Sequence, residues 1–269
     1  MNLSVGIVGL PNSGKSTLFN TLLKRQMAHV ASYPFTTIEP NVGVVEIPDE
    51  RLKKLAELVK PEKIVPATVK FIDIAGLVKN AHQGEGLGNQ FLAKIREVDV
   101  IVEVIRGFED ESTPHYYGSL DVKRDKEIVD LELQLGEIKK PTLYVINSHN
   151  IDSPSPGGEF MVINAQTGEG VEDLIKKAYE LLGLITFYTI KGGKEITAWA
   201  LKDGSTALQA ASKVHEDMAQ GFIKAEVIAF EEFVKMGDWH QAKNQGKIRL
   251  EGRDYVVADG DVIEFKFNV

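Results

Sequence analysis

The sequence predicts an α/β domain, with a mostly parallel sheet and helices on both faces, followed by a small α+β domain. Three observations predict it. Apolar strands alternate with amphipathic helices as far as Leu184. The first strand runs straight into a glycine-bounded loop and then a helix. After Leu184 the pattern becomes mostly β around one helix. The boundary is expected at residues 183–187, giving domains of residues 1–184 and 185–269.

Leu3–Val8 reads as a buried strand, and Ser16–Leu23 as a helix with Leu18, Phe19, Leu22 and Leu23 on one side. Val42–Ile47 is a strand. Pro48-Asp49 opens a helix carrying Leu52, Leu55 and Leu58. Thr68–Asp73 is a strand, followed by the Gly-rich stretch Ala75–Gln90. The strongly apolar Val98–Arg106 is expected as the central strand, Gly107–Arg124 as a loop and Asp125–Ile138 as a short helix. Strands at Thr142–Asn147 and Met161–Asn164 precede a helix at Val171–Leu182. Beyond the boundary, Phe187–Ile190 and Glu195–Ala200 suggest a hairpin around Gly192-Gly193. Leu208, Ala211, Val214, His215 and Met218 mark a single helix. Ala225–Phe230 is a strand. Tyr255–Val257 and Val262–Phe267 flank the turn signal Asp259-Gly260-Asp261.

Composition narrows the function classes. Hydrophobic residues make up 43% of 269, enough for one large core or two smaller ones. The 31 Lys+Arg against 39 Asp+Glu leave a net charge of −8, so bulk nucleic-acid binding by charge alone is not expected. Cysteine is absent, which excludes disulfides and thiolate chemistry and fits a cytoplasmic protein. No apolar run approaches the ~18 residues of a membrane span, and the N-terminus reads as a strand instead of a signal peptide.

The chemistry concentrates in five segments. Gly9-Leu10-Pro11-Asn12-Ser13-Gly14-Lys15-Ser16 fits G-x-x-x-x-G-K-[ST], the P-loop. Its backbone N–H groups can cradle phosphates, Lys15 can reach the β- and γ-phosphates, and the Ser16 hydroxyl can ligate Mg²⁺. The helix that follows adds its positive end. Asp73-Ile74-Ala75-Gly76 closes a strand. There Asp73 can hold a Mg²⁺-bound water and Gly76 can turn an N–H toward a γ-phosphate. Tyr33-Pro34-Phe35-Thr36-Thr37-Ile38-Glu39-Pro40-Asn41 can supply a Thr hydroxyl to the metal. Asn147-Ser148-His149-Asn150 and Asn164-Ala165-Gln166-Thr167-Gly168 end neighbouring strands, where a base is expected to sit. Taken singly, the last four segments are also compatible with ordinary loops.

In this order the five segments resemble the G motifs of a translation-factor-type GTPase. Tyr33-Pro34-Phe35-Thr36-Thr37 and Asp73-Ile74-Ala75-Gly76-Leu77-Val78 resemble the Obg group. Gly84-Glu85-Gly86-Leu87-Gly88-Asn89-Gln90-Phe91-Leu92 narrows the resemblance to the YchF/Obg-like ATPase family. Lys224–Phe230, Glu251–Tyr255, Asp259–Val262 and Phe265–Val269 resemble that family's TGS domain. The resemblance covers nearly the whole chain. It implies a P-loop NTPase domain of G-domain type followed by a TGS domain of β-grasp fold. It places nucleotide contacts on Asn12, Ser13, Gly14, Lys15, Ser16, Thr17, Gly76, Asn147, Ser148, Asn150 and Ala165. Metal contacts fall on Ser16, Thr37 and Asp73, with K⁺ stimulation expected through Asn12. Leu77 stands where related proteins use Gln to orient the attacking water, and Leu cannot hydrogen-bond it. The family's candidate for that work is a His after Phe-Glu-Asp, which here is His115, after Phe108-Glu109-Asp110. Lys15 and His115 are therefore the expected catalytic residues.

Two departures stand out. Only Arg124–Lys140 lies where the family inserts a helical domain, so that domain is missing or reduced. Asn150 stands where GTPases have Asp and this family has Glu, and Ser148 replaces Lys. One amide cannot present two acceptor oxygens to guanine, so ATP is favoured, with GTP as the alternative. The resemblance implies a slow ATPase switch associated with the ribosome. A GTPase of the same architecture and a nucleotide-gated adaptor with negligible turnover remain alternatives, while a metabolic kinase fits least. Lys235, His240, Lys243, Lys247, Arg249 and Arg253 are expected to form a basic face for RNA on the second domain.

Overall fold

The computed structural model describes residues 3–27, 41–74, 87–152 and 157–268. In chain order the elements begin with β1 (Ser4–Val8), α1 (Lys15–Met27), β2 (Val42–Glu46), α2 (Glu50–Val59), β3 (Lys63–Val65) and β4 (Thr68–Asp73). There follow α3 (Leu87–Glu97), β5 (Val100–Arg106), α4 (Val122–Leu135), β6 (Thr142–Asn147), β7 (Phe160–Ile163) and α5 (Val171–Leu181). The remainder comprises β8 (Leu184–Lys191), β9 (Glu195–Lys202), α6 (Ala207–Val214), α7 (Glu216–Gln220), β10 (Phe222–Ala229), α8 (Phe230–Met236), α9 (Trp239–Asn244), β11 (Arg249–Glu251) and β12 (Asp261–Phe267).

Contacts divide the chain into two units. The first comprises Met1–Val45 and Val69–Leu182. Its sheet runs β2-β4-β1-β5-β6-β7, and β4, β1, β5, β6 and β7 are parallel to their neighbours in that series. Every residue of β5 is buried, as a central strand covered on both faces requires. Ile95, Val98, Ile101, Val129 and Leu133 build the core on one side of it. Val171, Leu174, Ile175 and Ala178 of α5 bury one helical face, the i, i+3, i+4, i+7 stripe legible in the sequence. Gly6 lets the layers close, since a Cβ there would lie 2.8 Å from Ile74 Cδ1 and 2.9 Å from Val98 Cγ2. Because the strands are parallel, their carboxyl ends all open on one edge, and that edge carries the site.

The second unit comprises Glu46–Thr68 and Gly183–Val269. Its mixed sheet runs β11-β10-β12-β8-β9-β3. The β8–β9 hairpin is followed by helices, and β12 returns parallel to β8, as in a β-grasp fold. Phe187, Phe222, Val227, Ile263 and Phe265 form its core with Ala207, Ala210 and Ala211 of α6.

The structure differs from the sequence expectation in instructive places. Residues 46–68, expected in the first domain, pack in the second unit. There β3 pairs with β9 through Lys63↔Glu195, Ile64↔Ile196 and Val65↔Thr197. Asp49 Oδ2 accepts the Tyr188 hydroxyl at 2.5 Å, and Arg51 grips Asp259 at 2.7 and 3.1 Å. Pairing across more than a hundred residues leaves no local periodicity to read. The expected single helix around residues 208–218 is two helices. His215 is extended (φ −163°, ψ 141°) and caps both, its N–H reaching Ala211 O and its Nδ1 accepting the Asp217 N–H. Helix α4 starts three residues before the expected Asp125, because Asp121 caps it by accepting the Arg124 N–H.

Candidate functional site: a P-loop cavity at the strand ends

The loop between β1 and α1 has the backbone that its glycines allow. Gly9 has φ +147° and Gly14 φ +94°. A Cβ at Gly9 would lie 2.3 Å from Val104 O, and one at Gly14 would lie 2.2 Å from Asn147 Nδ2, so larger residues are excluded twice over. Asn12 also sits in the left-handed region, at φ 64°. Lys15 is buried, and Nζ donates to Leu10 O at 2.8 Å. Burial pulls its pKa down to about 8 against the opposing pull of Asp73. A phosphate beside this lysine would add negative charge to that of Asp73 and favour its charged form.

The Ser16 hydroxyl donates to Asp73 Oδ2 at 2.9 Å, while Asp73 Oδ1 is buried with no hydrogen-bond partner among the described residues. Ser13 Oγ is likewise buried and unpartnered. A hydroxyl beside a carboxylate with a spare oxygen suits Mg²⁺, which keeps much of its own water and needs few protein ligands. Thr37, Gly76 and Leu77 lie outside the described residues.

A buried arginine ties the P-loop to the segment after β5. Arg106 Nη1 donates to Asn12 O at 3.2 Å, Nε to Phe108 O at 2.9 Å and Nη2 to Thr113 O at 2.7 Å. Its guanidinium also lies 4.4 Å from the centre of the Phe108 ring. Asn12 Nδ2 adds a bond to Pro114 O at 3.2 Å. His115, two residues beyond Thr113, is not brought to the cavity. Its Nδ1 accepts the Tyr117 N–H at 3.0 Å, which leaves Nε2–H to donate to Asp125 Oδ2 at 2.7 Å. The two side chains are 7% and 3% exposed, so this histidine is a closed, buried pair in the described state. Beside it Glu103 is fully buried with neither carboxylate oxygen partnered. Burial, seconded by Asp130, pushes its carboxyl well above the usual range. Neither Arg106 nor Glu103 was singled out in the sequence. A charged residue inside the apolar run Val98–Arg106 was the available signal for both.

The far end of the cavity is built from the loops after β6 and β7. Asn147 spans the site: Nδ2 donates to Ser13 O at 3.1 Å, and Oδ1 accepts the Ala165 N–H at 3.0 Å. Each end of its amide thus makes one bond that holds the P-loop against the last loop. Asn164 is equally committed, accepting from Gln166 N and Thr167 N and donating to His149 O. Asn150, expected at the base, is exposed and does not line the cavity. Its Oδ1 accepts the Asp152 N–H at 3.0 Å in a local turn. Its neighbour His149 takes the place at the wall, stacked on Phe108 with ring centres 4.9 Å apart and 28° between planes. The cavity between the P-loop and these loops has a volume of about 450 Å³, with Lys15, Ser16 and Thr17 at one end and Phe108, His149 and Gln166 also lining it.

Comparison with known proteins places this geometry. Residues 4–148 match a family described as 50S ribosome-binding GTPase, and residues 184–268 match the YchF GTPase C-terminal family, described as a protein of unknown function. Ribosome-binding ATPase YchF of Bacillus subtilis is 38% identical over 368 aligned positions that cover the whole of both chains. The chain belongs to the YchF family. Ribosome-binding ATPase YchF of Escherichia coli O157:H7 is 35% identical over 365 positions, again covering all of both chains. The solved Schizosaccharomyces pombe YchF GTPase has a TM-score of 0.82, at 27% identity over 98% of each chain. Membership carries the P-loop hydrolase fold and, as is general for such GTPases, use of Mg²⁺. The 368 positions aligned with the Bacillus YchF exceed this chain's 269 residues by 99. Between the His115 segment and β6, α4 is the single element among the described residues. No helix among the described residues is long and apolar enough to cross a membrane.

On the second unit, the expected basic face is largely neutralised. Lys235 and Lys247 pair with Glu232, Lys243 with Glu226, and Arg249 with Glu251 and Asp261. Arg253 donates to Phe222 O.

Proposed function

We propose that this YchF-family chain binds ATP with Mg²⁺ in the P-loop cavity, hydrolyses it slowly to ADP and phosphate, and couples the two states to ribosome association in the cytoplasm. The observation that carries this reading is the convergence of a buried, anion-seeking Lys15 with the Ser16–Asp73 pair at one end of a 450 Å³ cavity. Lys15 neutralises charge that develops on the γ-phosphoryl oxygens. Ser16 and Thr37 would hold Mg²⁺, with Asp73 beside them, and the ion would supply further positive charge to those oxygens. The backbone of residues 12–17 wraps the phosphates, Gly76 senses the γ-phosphate, and Asn147 with Ala165 keeps the P-loop in register with the far end. Among the described residues Asn12 Oδ1 carries no hydrogen bond, which leaves it available to K⁺. For His115 to place water it must leave Asp125, so turnover by this route needs a rearrangement of the segment that Arg106 and Asn12 tie down. The pairs of Glu232 with Lys235 and Lys247 are exposed and cheap to exchange, so ribosomal phosphates can displace Glu232 from its lysines.

The test is a side-by-side titration of purified protein with ATP and GTP, with Mg²⁺ and K⁺ present, followed by phosphate release and sedimentation with ribosomes. Tighter ATP binding, K⁺-stimulated release and nucleotide-dependent sedimentation are expected. The match of residues 4–148 to a GTPase family favours the second reading, a GTPase of the same architecture. Tighter GTP binding selects it. Binding with no phosphate release above background in either nucleotide selects the adaptor.

A further inference from the structure

We infer that Gln166, not Asn150, is the side chain that reads the edge of the nucleotide base in this chain. The inference rests on the reading above that the cavity takes a purine nucleoside triphosphate.

The argument begins with the polar side chains near the aromatic wall. Asn147 is buried and held in place from both sides, its Nδ2 donating to Ser13 O and its Oδ1 accepting the Ala165 N–H, so it has one N–H left and no freedom to follow a base. Asn164 has both ends engaged as well, by the His149 carbonyl and by two backbone N–H groups. Asn150 faces away, with its acceptor used in its own turn. Gln166 lines the cavity, is exposed to it, and makes no side-chain hydrogen bond among the described residues; its backbone N–H alone is held, by Asn164 Oδ1. The loop is therefore fixed while the carboxamide is free. A base lying against Phe108 and His149 turns its polar edge toward whatever donor and acceptor remain unspent. Gln166 offers one of each.

The chemistry of a carboxamide then sets the specificity. One donor and one acceptor match the alternating N–H and ring nitrogen along the edge of adenine. Guanine recognition in GTPases uses a carboxylate, which presents two acceptors to two N–H donors. Among the described residues Asp110 is the carboxylate that lines the cavity, and its Oδ1 already accepts the Ser112 N–H and hydroxyl. Changing Gln166→Glu converts the donor into a second acceptor, which opposes adenine's ring nitrogen and suits guanine's paired donors.

The experiment measures binding of ATP, GTP and inorganic tripolyphosphate, each with Mg²⁺, to wild-type protein and to Q166A, Q166E and N150A. Expected are an about tenfold weaker ATP Kd in Q166A, an ATP:GTP affinity ratio in Q166E moved toward GTP, and an N150A variant that matches wild type. Tripolyphosphate affinity stays constant throughout, because the phosphate end is untouched. A loss in N150A with Q166A unchanged overturns the proposal in favour of Asn150. Loss of tripolyphosphate binding in Q166A also overturns it, because Gln166 then holds the loop and does not read the base. Wild-type protein that binds tripolyphosphate but neither nucleotide refutes the Gln166 inference. Failure to bind any of the three refutes the underlying nucleotide reading itself.

Discussion

Two buried glutamates, one in each sheet, live in opposite conditions. Glu103 on β5 is completely buried, neither oxygen has a partner among the described residues, and burial pushes its carboxyl well above the usual range. Glu226 on β10 is 2% exposed and is ringed by Lys224, Lys243 and Lys266, at 3.3, 3.3 and 3.9 Å. Burial works against its charge, yet the lysine hydrogen bonds prevail and hold its carboxyl below the usual range. The contrast extends to their units. Among the described residues the P-loop unit leaves Ser13 Oγ, Asp73 Oδ1 and both oxygens of Glu103 buried without a hydrogen bond. In the second unit, Asp49, Asp259 and Asp261 are each held by two or more partners. Unsatisfied buried groups cost stability and persist where function needs them, whereas satisfied ones build architecture.

The comparison can be broken most decisively at Lys15. Replacing it with Met is expected to lower turnover about 100-fold or more, while leaving thermal stability without nucleotide unchanged or raised, because an unfavourably buried cation is gone. A phosphate-release assay paired with a melting curve reads both. A variant that loses stability along with turnover would mean that Lys15 is architectural, like Glu226.

Next in size is Glu226→Ala, expected to cost about 3 kcal/mol, because it strands three lysines around a vacated buried position. Denaturant unfolding measures it. The pH dependence sharpens the point. Glu226 has a depressed folded-state pKa, so its contribution is present above the unfolded pKa and is lost as pH falls through the folded one. Glu103 has a raised pKa, so the fold loses stability as pH rises from the unfolded pKa toward the folded one. Glu226→Gln should flatten the acid limb of the stability profile, and Glu103→Gln the limb at higher pH. Identical profiles for the two variants would erase the distinction.

Glu103→Leu is expected to stabilise by about 1–3 kcal/mol at neutral pH, since two unsatisfied oxygens are replaced by apolar atoms of similar volume. If activity falls in this variant while stability rises, the buried acid is maintained for the site. The smallest effect is expected at His215→Ala. That residue caps the helix after it and ends the one before it, so its loss should cost about 1 kcal/mol with no change in nucleotide affinity.

The sequence by itself marked the P-loop end of the cavity. The P-loop glycines, Lys15, Ser16 and Asp73 are recognisable because their chemistry needs fixed residue types at fixed local spacing, and the structure brings them together. It also determined the alternation of strands and helices in the first unit, and the hairpin and final strand of the second, through periodicities set within a few residues. The tertiary structure alone decided matters that depend on distant pairing. It carried residues 46–68 into the second unit through β3 and β9, and it buried His115 against Asp125. It spent the amides of Asn147 and Asn164 on loops and turned Asn150 outward, leaving Gln166 free at the cavity. The physical reason is the same in each case. A motif records which groups a side chain offers, but whether those groups remain available depends on which partners the fold brings within 3 Å.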